Sequence, residues 1–270
     1  MLGTAIIGFD SAWTDNPKAP GAVSVIAIDE TGAKTFVAPR LATFGQALEV
    51  IAGEQTRHER VFVAIDQPTI VPNLGGARPV DRVAASLMSW LGGGVQPANR
   101  SRTGMFDADA PIWAFKAALG ASDNPELARD GVAGTYIAEV FPAMSLPSMA
   151  LEFCGRRMGP RYNPGRKATF KIDDWQAVLV CAAACGDALG IDGVADWCAV
   201  HAQKPWPSKA DQDLLDGLLC ALIGYLWLFE PRSRLLMIGD LIEGYMVAPA
   251  IGEARARLEA AALLRSVPCR

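Results

Sequence analysis

An α/β fold built around a mixed sheet follows from three features of the sequence. Short apolar runs stop at a carboxylate in three places: Thr4-Ala-Ile-Ile-Gly-Phe-Asp10-Ser11, Val61-Phe-Val-Ala-Ile-Asp66 and Tyr136-Ile-Ala-Glu139. Strand-like and helix-like segments alternate along the chain. The first three strands are joined by short polar connections, which suit an antiparallel meander. A continuous apolar strand is expected where both sheet faces are covered. Open α/β sheets bind ligands beyond the carboxyl ends of their strands, which is where Asp10 sits. One such aspartate reads as a turn residue; recurrence of the pattern makes it a candidate for chemistry.

Taken in order, the strands expected first are Thr4–Ser11, Gly21–Asp29 and Lys34–Val37, the last two separated by the turn Glu30-Thr-Gly. Trp13 to Pro20 is the hairpin loop between the first pair. Phe44–Gln55 has helical spacing, with Thr43 placed to cap it. The strand ending at Asp66 follows, so two adjacent parallel strands would carry Asp10 and Asp66 at their carboxyl ends. A glycine- and proline-rich loop, Pro68–Pro79, leads to a helix over Val80–Leu91. Gly92–Pro111 lacks periodicity and contains Arg100 and Arg102; a loop of that length is usually functional or disordered. A helix over Ile112–Leu119, a fifth strand over Gly134–Phe141 and helices near Asp174–Ala188 and Gly193–His201 complete the middle of the chain. A last helix spans Ile251–Leu264 and could pair with a copy of itself; the sequence leaves the oligomeric state open.

At 270 residues and 51% hydrophobic content the chain can bury one large core or two small ones. No linker divides it, so a single domain over 1–270 is expected, with inserted loops at about 92–111 and 153–172. The net charge of −4 argues against a protein that coats nucleic acid indiscriminately, while leaving local basic patches open. Six scattered cysteines form no C-x-x-C pair, and His58 and His201 are too isolated for a zinc site. Buried free thiols in a reducing cytosol, and hence a cytoplasmic protein, are expected. The N-terminus lacks the basic start of a signal peptide. Leu214–Phe229 is apolar but shorter than the ~20 residues a bilayer needs, and Asp216 lies inside it, so it reads as a core helix and no membrane partner is expected.

That helix carries the second half of the acid pattern. Ser208 caps it and Asp211 answers from its third position, which gives Asp211 a structural task. Asp213 and Asp216 lie three apart on one face, and everything beyond Asp216 is apolar on every side. A carboxylate entering such a helix needs a partner, and a divalent cation would compensate it. Three or four carboxylates gathered from strand ends and one helix suit Mg²⁺ or Mn²⁺. Two such ions about 4 Å apart can hydrolyse a phosphodiester. From Phe153 to Ile172 the charges are all positive, Lys167 and Lys171 among them; this is either a solvated surface or a phosphate-binding flap.

These residues together resemble the ribonuclease H-like fold: Asp10 on a first strand, a meander, Ala64-Ile-Asp66-Gln67 on the fourth strand and Asp213-Leu-Leu-Asp216-Gly217 on a late helix. Among characterised members they are similar to RuvC-type Holliday-junction resolvases. More of the chain resembles the domain-of-unknown-function 429 family, described as predicted ribonuclease H-like nucleases. That likeness rests on Ile7-Gly-Phe-Asp10, Ala64-Ile-Asp66-Gln-Pro68, Arg78-Pro-Val-Asp81-Arg82, Glu139-Val-Phe-Pro142 and Asp213-Leu-Leu-Asp216-Gly217. The resemblance implies a central mixed five-stranded sheet flanked by helices. It also implies a metal-dependent nuclease acting on DNA or RNA, with two Mg²⁺ or Mn²⁺ ions held by Asp10, Asp66, Asp213 and Asp216. Glu139 would be a further ligand or orient one, with a strand-end salt bridge as the alternative. Arg78 and Arg82 would contact phosphate, or else pair with Asp81 and neighbouring acids; Arg100, Arg102, Lys167 and Lys171 are further substrate contacts. Three departures stand out: Gln212 replaces the histidine the family places before the helix acids, Ala12 replaces the glycine of the first turn, and Asp66 replaces the longer Glu of the resolvases. The competing expectations are a non-catalytic scaffold of the same fold and an ATP-using enzyme of actin or sugar-kinase architecture.

Overall fold

A computed structural model describes residues 2–270. The five-stranded sheet runs in the order β3-β2-β1-β4-β5, formed by β1 (Thr4–Asp10), β2 (Gly21–Ile28), β3 (Lys34–Ala42), β4 (Arg60–Ile65) and β5 (Gly134–Glu139). β1, β2 and β3 are antiparallel neighbours, while β1, β4 and β5 run parallel. This mixed α/β sheet is the expected one and is consistent with a ribonuclease H-like fold. The meander needs only short turns, whereas β4 and β5 arrive through helical crossovers: α1 (Phe44–Gln55) before β4, then α2 (Pro79–Leu91), α3 (Pro111–Leu119) and α4 (Pro125–Arg129) before β5.

Strand alternation assigns the two faces. Ile6, Phe62, Ala64 and Ala138 face one core, which also takes in α5 (Pro142–Met149), α6 (Ile172–Ala188), α7 (Val194–Ala202) and α8 (Lys209–Phe229). Ile7, Phe9, Val63, Ile65 and Ile137 face the other, against α1 and α3. A third cluster lies where α2 and α9 (Gly252–Leu264) meet the hairpin β6 (Leu235–Asp240) and β7 (Gly244–Pro249).

One expected boundary moves. β3 continues through Arg40 to Ala42, because Val23, Ala22 and Gly21 of β2 keep pairing with it beyond a bulge. The β6–β7 hairpin went unread: Leu235-Leu-Met-Ile follows an apolar helix so closely that periodicity does not separate them. The apolar residues of α9 pack within the chain, although Leu263 and Leu264 at its end are exposed.

α8 is the central helix. At 21 residues it is long and apolar enough to cross a membrane by length and composition, but 83% of its most apolar window is buried inside the fold. It lies directly on β1 because both contact surfaces are glycine. A methyl group at Gly8 would come within 2.2 Å of the Gly217 carbonyl and the Ala221 amide. This close approach places the N-terminal turns of α8 over the carboxyl ends of β1 and β4.

Candidate functional site

Register and face bring the strand acids together. Phe9 pairs with Ile65 in the parallel β1–β4 ladder, and the Asp66 amide donates to the Phe9 carbonyl at 2.9 Å, so Asp10 lies beside Asp66. Both continue the even-numbered row (Ile6 and Gly8; Phe62 and Ala64) that faces α8. Asp213 and Asp216 project from α8 onto the same end. Asp10, Asp213 and Asp216 are buried, at 7%, 6% and 4% exposure, while Asp66 is partly exposed on a cleft wall.

Their charges act on one another. Burial, then Asp216 and Asp66, raise the Asp10 pKa well above the usual carboxylate range. Burial, then Asp216 and Glu139, do the same to Asp66. Among the described residues no hydrogen-bond donor offsets either shift. Asp216 has more help: the Tyr162 hydroxyl donates to it at 2.8 Å and the Gln212 side-chain amide donates to its other oxygen. Burial nevertheless pushes Asp216 up to about 6. The cation acting on the group is Lys209, which forms an i,i+4 salt bridge with Asp213 and lowers the pKa values of Asp10, Asp66 and Asp216. Among the described residues, no three His, Cys, Asp or Glu side chains converge closely enough to form a ready-made metal cage. Four mutually repelling carboxylates facing one half-exposed ammonium account for this spacing.

Two of the four acids, Asp66 and Asp216, line a cleft of about 180 Å³, with Asp10 and Asp213 buried behind them. Asp66, Asp216, Gln212 and Tyr162 line its inner end, and Arg161 and Arg166 its outer wall. Whether divalent cations suit this site is a question of donor chemistry. The acids offer only hard oxygen ligands. Gln212 is buried, and its Oε1 has no hydrogen-bond partner while its amide nitrogen is committed to Asp216. An unpaired buried carbonyl oxygen beside carboxylates lacking donors fits a cation that accepts oxygen ligands.

A family model described as "Protein of unknown function (DUF429)" matches residues 8–235, a span that includes both strand acids and the whole of α8. The chain belongs to the DUF429 family. No curated protein and no solved structure matches it. In this DUF429 chain the span ends at the first residue of β6, so most of the hairpin and all of α9 lie beyond it.

The other sequence candidates are distributed unevenly. Glu139 belongs to the odd-numbered row of β5 and faces away from α8, where it meets Arg78. Arg78 is fully buried. It donates to Glu139 at 2.7 and 2.8 Å, to Asp81 at 2.7 and 3.1 Å and to the Ile70 carbonyl at 3.0 Å. The expected phosphate contact by Arg78 therefore gives way to its alternative, pairing with Asp81, and Glu139 is the strand-end salt bridge. Arg100 is likewise committed, to the Val71 and Phe106 carbonyls and the face of Trp113. Arg82, Lys167 and Lys171 are exposed and Arg102 is half-buried; of these, only Lys171 lines the groove that continues the cleft outward. Arg161 and Arg166 belong to the basic segment expected as a solvated surface or phosphate-binding flap, and line the cleft, while Tyr162 and Lys209 are additions of the structure. Tyr162 carried no signal beyond its position in the basic segment, whereas Lys209 is four residues from Asp213 on a capped helix and was legible.

Proposed function

We propose that this DUF429 protein is a divalent-metal-dependent nuclease that hydrolyses phosphodiester bonds. The observation carrying this reading is the pair of strand-end carboxylates, Asp10 and Asp66, held side by side with no hydrogen-bond donor among the described residues, Asp66 opening with Asp216 onto a cleft that Arg161 and Arg166 also line. Asp10, Asp66, Asp213 and Asp216 would hold the ions, which supply polarisation of the phosphoryl group and activation of the attacking water. The chain's own residues do the rest. Tyr162 and Gln212 fix the orientation of Asp216, the apolar cleft wall limits water, and Arg161 and Arg166 bind the charged phosphate.

The decisive experiment incubates the protein with Mg²⁺ or Mn²⁺ and a panel of single strands, duplexes, hybrids and junctions of DNA and RNA. Metal-dependent cleavage that Asp10→Asn abolishes is expected; no turnover on any member would overturn the reading. Two observations favour a non-catalytic binding protein instead: Gln212 stands where the family places a histidine, and the acids form no ready-made cage. A melting temperature indifferent to Mn²⁺ would support that alternative, because a ligand of the native state must stabilise it.

A further inference from the structure

The cleft does not end at the acids. It opens into a groove that shares Gly93, Gly94, Arg161, Arg166 and Thr169 with it and extends to Lys171, forming one trough from Asp66 and Asp216 outward. Neither Arg161 nor Arg166 has a carboxylate partner for its guanidinium among the described residues. Gly92 makes room for the first: a methyl group there would lie 2.5 Å from Arg161 Nη2. Unpaired guanidiniums along a trough that leads to a phosphodiesterase site mark the path of a phosphate backbone.

We infer that the trough takes a single, unpaired nucleic acid strand, a substrate class that rests on the nuclease reading above. The acids are recessed, and the segment carrying the arginines crosses in front of them. That segment is pinned on both sides. The Arg157 and Gly159 amides donate to the Trp90 and Leu91 carbonyls at the end of α2, the Arg161 amide donates to Asp174 of α6, and Tyr162 reaches Asp216. These bonds anchor the wall to α2, α6 and α8. A double helix, whose major groove alone is about 12 Å wide, carries its phosphates on a stiff cylinder and cannot lower one into a cleft this small. A lone strand can enter, and half-buried Phe141 on the cleft wall offers apolar surface for an unstacked base.

The test is fluorescence anisotropy of the full chain in Ca²⁺ with labelled dT12, rU12 and a 12-base-pair duplex. The strands should bind at least about tenfold tighter than the duplex, with a salt slope near −2 for three phosphate contacts. Arg161→Gln with Arg166→Gln should weaken strand binding about tenfold and lower the slope by about 1.4. Arg166→Glu alone, at an exposed position where folding is not at risk, should weaken binding several-fold. Duplex binding as tight as strand binding would overturn the inference, as would arginine variants of unchanged melting temperature that leave affinity and slope unaltered. The two readings fail separately. Strand binding without Mn²⁺-dependent cleavage removes the nuclease and keeps the trough; duplex cleavage indifferent to the arginines removes the trough and keeps the nuclease.

Discussion

Two clusters of buried charge adjoin at the same sheet edge, close enough that Glu139 of one raises the pKa of Asp66 of the other, and they are built on opposite principles. Arg78, Asp81 and Glu139 form a closed unit: one guanidinium fully buried, its donors distributed over two carboxylates and a backbone carbonyl. Asp81 also accepts from the Arg78 and Ala98 amides. Asp10, Asp66, Asp213 and Asp216 form an open unit, with four carboxylates facing one ammonium that is 56% exposed. The first cluster is satisfied within the chain and can accept nothing more. The second is destabilised as it stands and stabilised by whatever positive charge enters. A buried cluster whose carboxylates share a guanidinium that hydrogen-bonds both is architecture, and one that leaves carboxylates without donors at a cleft is a binding site.

The largest effect is expected on the closed side. Arg78→Ala leaves Asp81 and Glu139 buried without a counter-charge, which costs about 3–5 kcal/mol and lowers the melting temperature by about 10 °C. Mn²⁺ should recover little of that loss, because Glu139 and Asp81 stay tied to the architecture around Arg78 and an ion at the cleft acids would reach Glu139 only through its field. Substantial rescue by metal in a thermal scan would erase the distinction between the clusters.

The open side should respond to pH in the direction its shifts dictate. Asp10 and Asp66 are raised, and Asp216 lies at about 6. The folded protein therefore holds protons that the unfolded chain has already released. The stability they contribute is present at low pH and lost as pH rises through about 6. In EDTA the melting temperature should fall by about 5 °C or more between pH 5 and 7.5. Asp10→Asn should flatten that decline and raise the melting temperature at pH 7.5, a substitution that stabilises by removing charge. Stabilisation by Mn²⁺ should grow over the same interval, as the carboxylates release the protons that compete with metal. A variant with the wild-type pH profile would show that Asp10 does not share in the repulsion.

Much of this contrast was legible in the sequence, and its limits were physical. Apolar runs ending at Asp10 and Asp66, and a capped helix carrying Asp213 and Asp216, were sufficient to gather four acids at one sheet end. Glu139 stays open between ligand and salt bridge in the sequence because the same kind of run carries it, and its parity along β5 gives it to Arg78. Parity is written in the sequence, but register between strands is not, and register decides which acids meet. Arg78 offered two partners at sequence distance, and only burial chose Asp81 and Glu139. The basic segment was visible as a charge run, while its partners on α2 and α6 were not, so exposed Lys167 could not be told from Arg161 and Arg166 on the cleft wall.

Lys209 gives the finest test of the open cluster, because among the described residues it is the cation whose field acts on these acids. Its ammonium pairs with Asp213, and its field lowers the pKa values of Asp10, Asp66 and Asp216. Burial would depress its own pKa, but Asp10 and Asp213 hold it up. Lys209→Met keeps the length of the stem and removes the charge. In EDTA the variant should be less stable by about 0.5–1 kcal/mol, a small loss because the pair is half-exposed and screened. In calorimetric titration the same variant should bind Mn²⁺ more tightly, on the order of fivefold, because the ion no longer competes with a tethered ammonium for the same carboxylates. The two signs must be opposite for Lys209 to be a stand-in for the ion. Weaker Mn²⁺ binding in the variant would mean that Lys209 instead holds Asp213 in place as a ligand, and the open cluster would then be partly organised by the chain, as the closed one is.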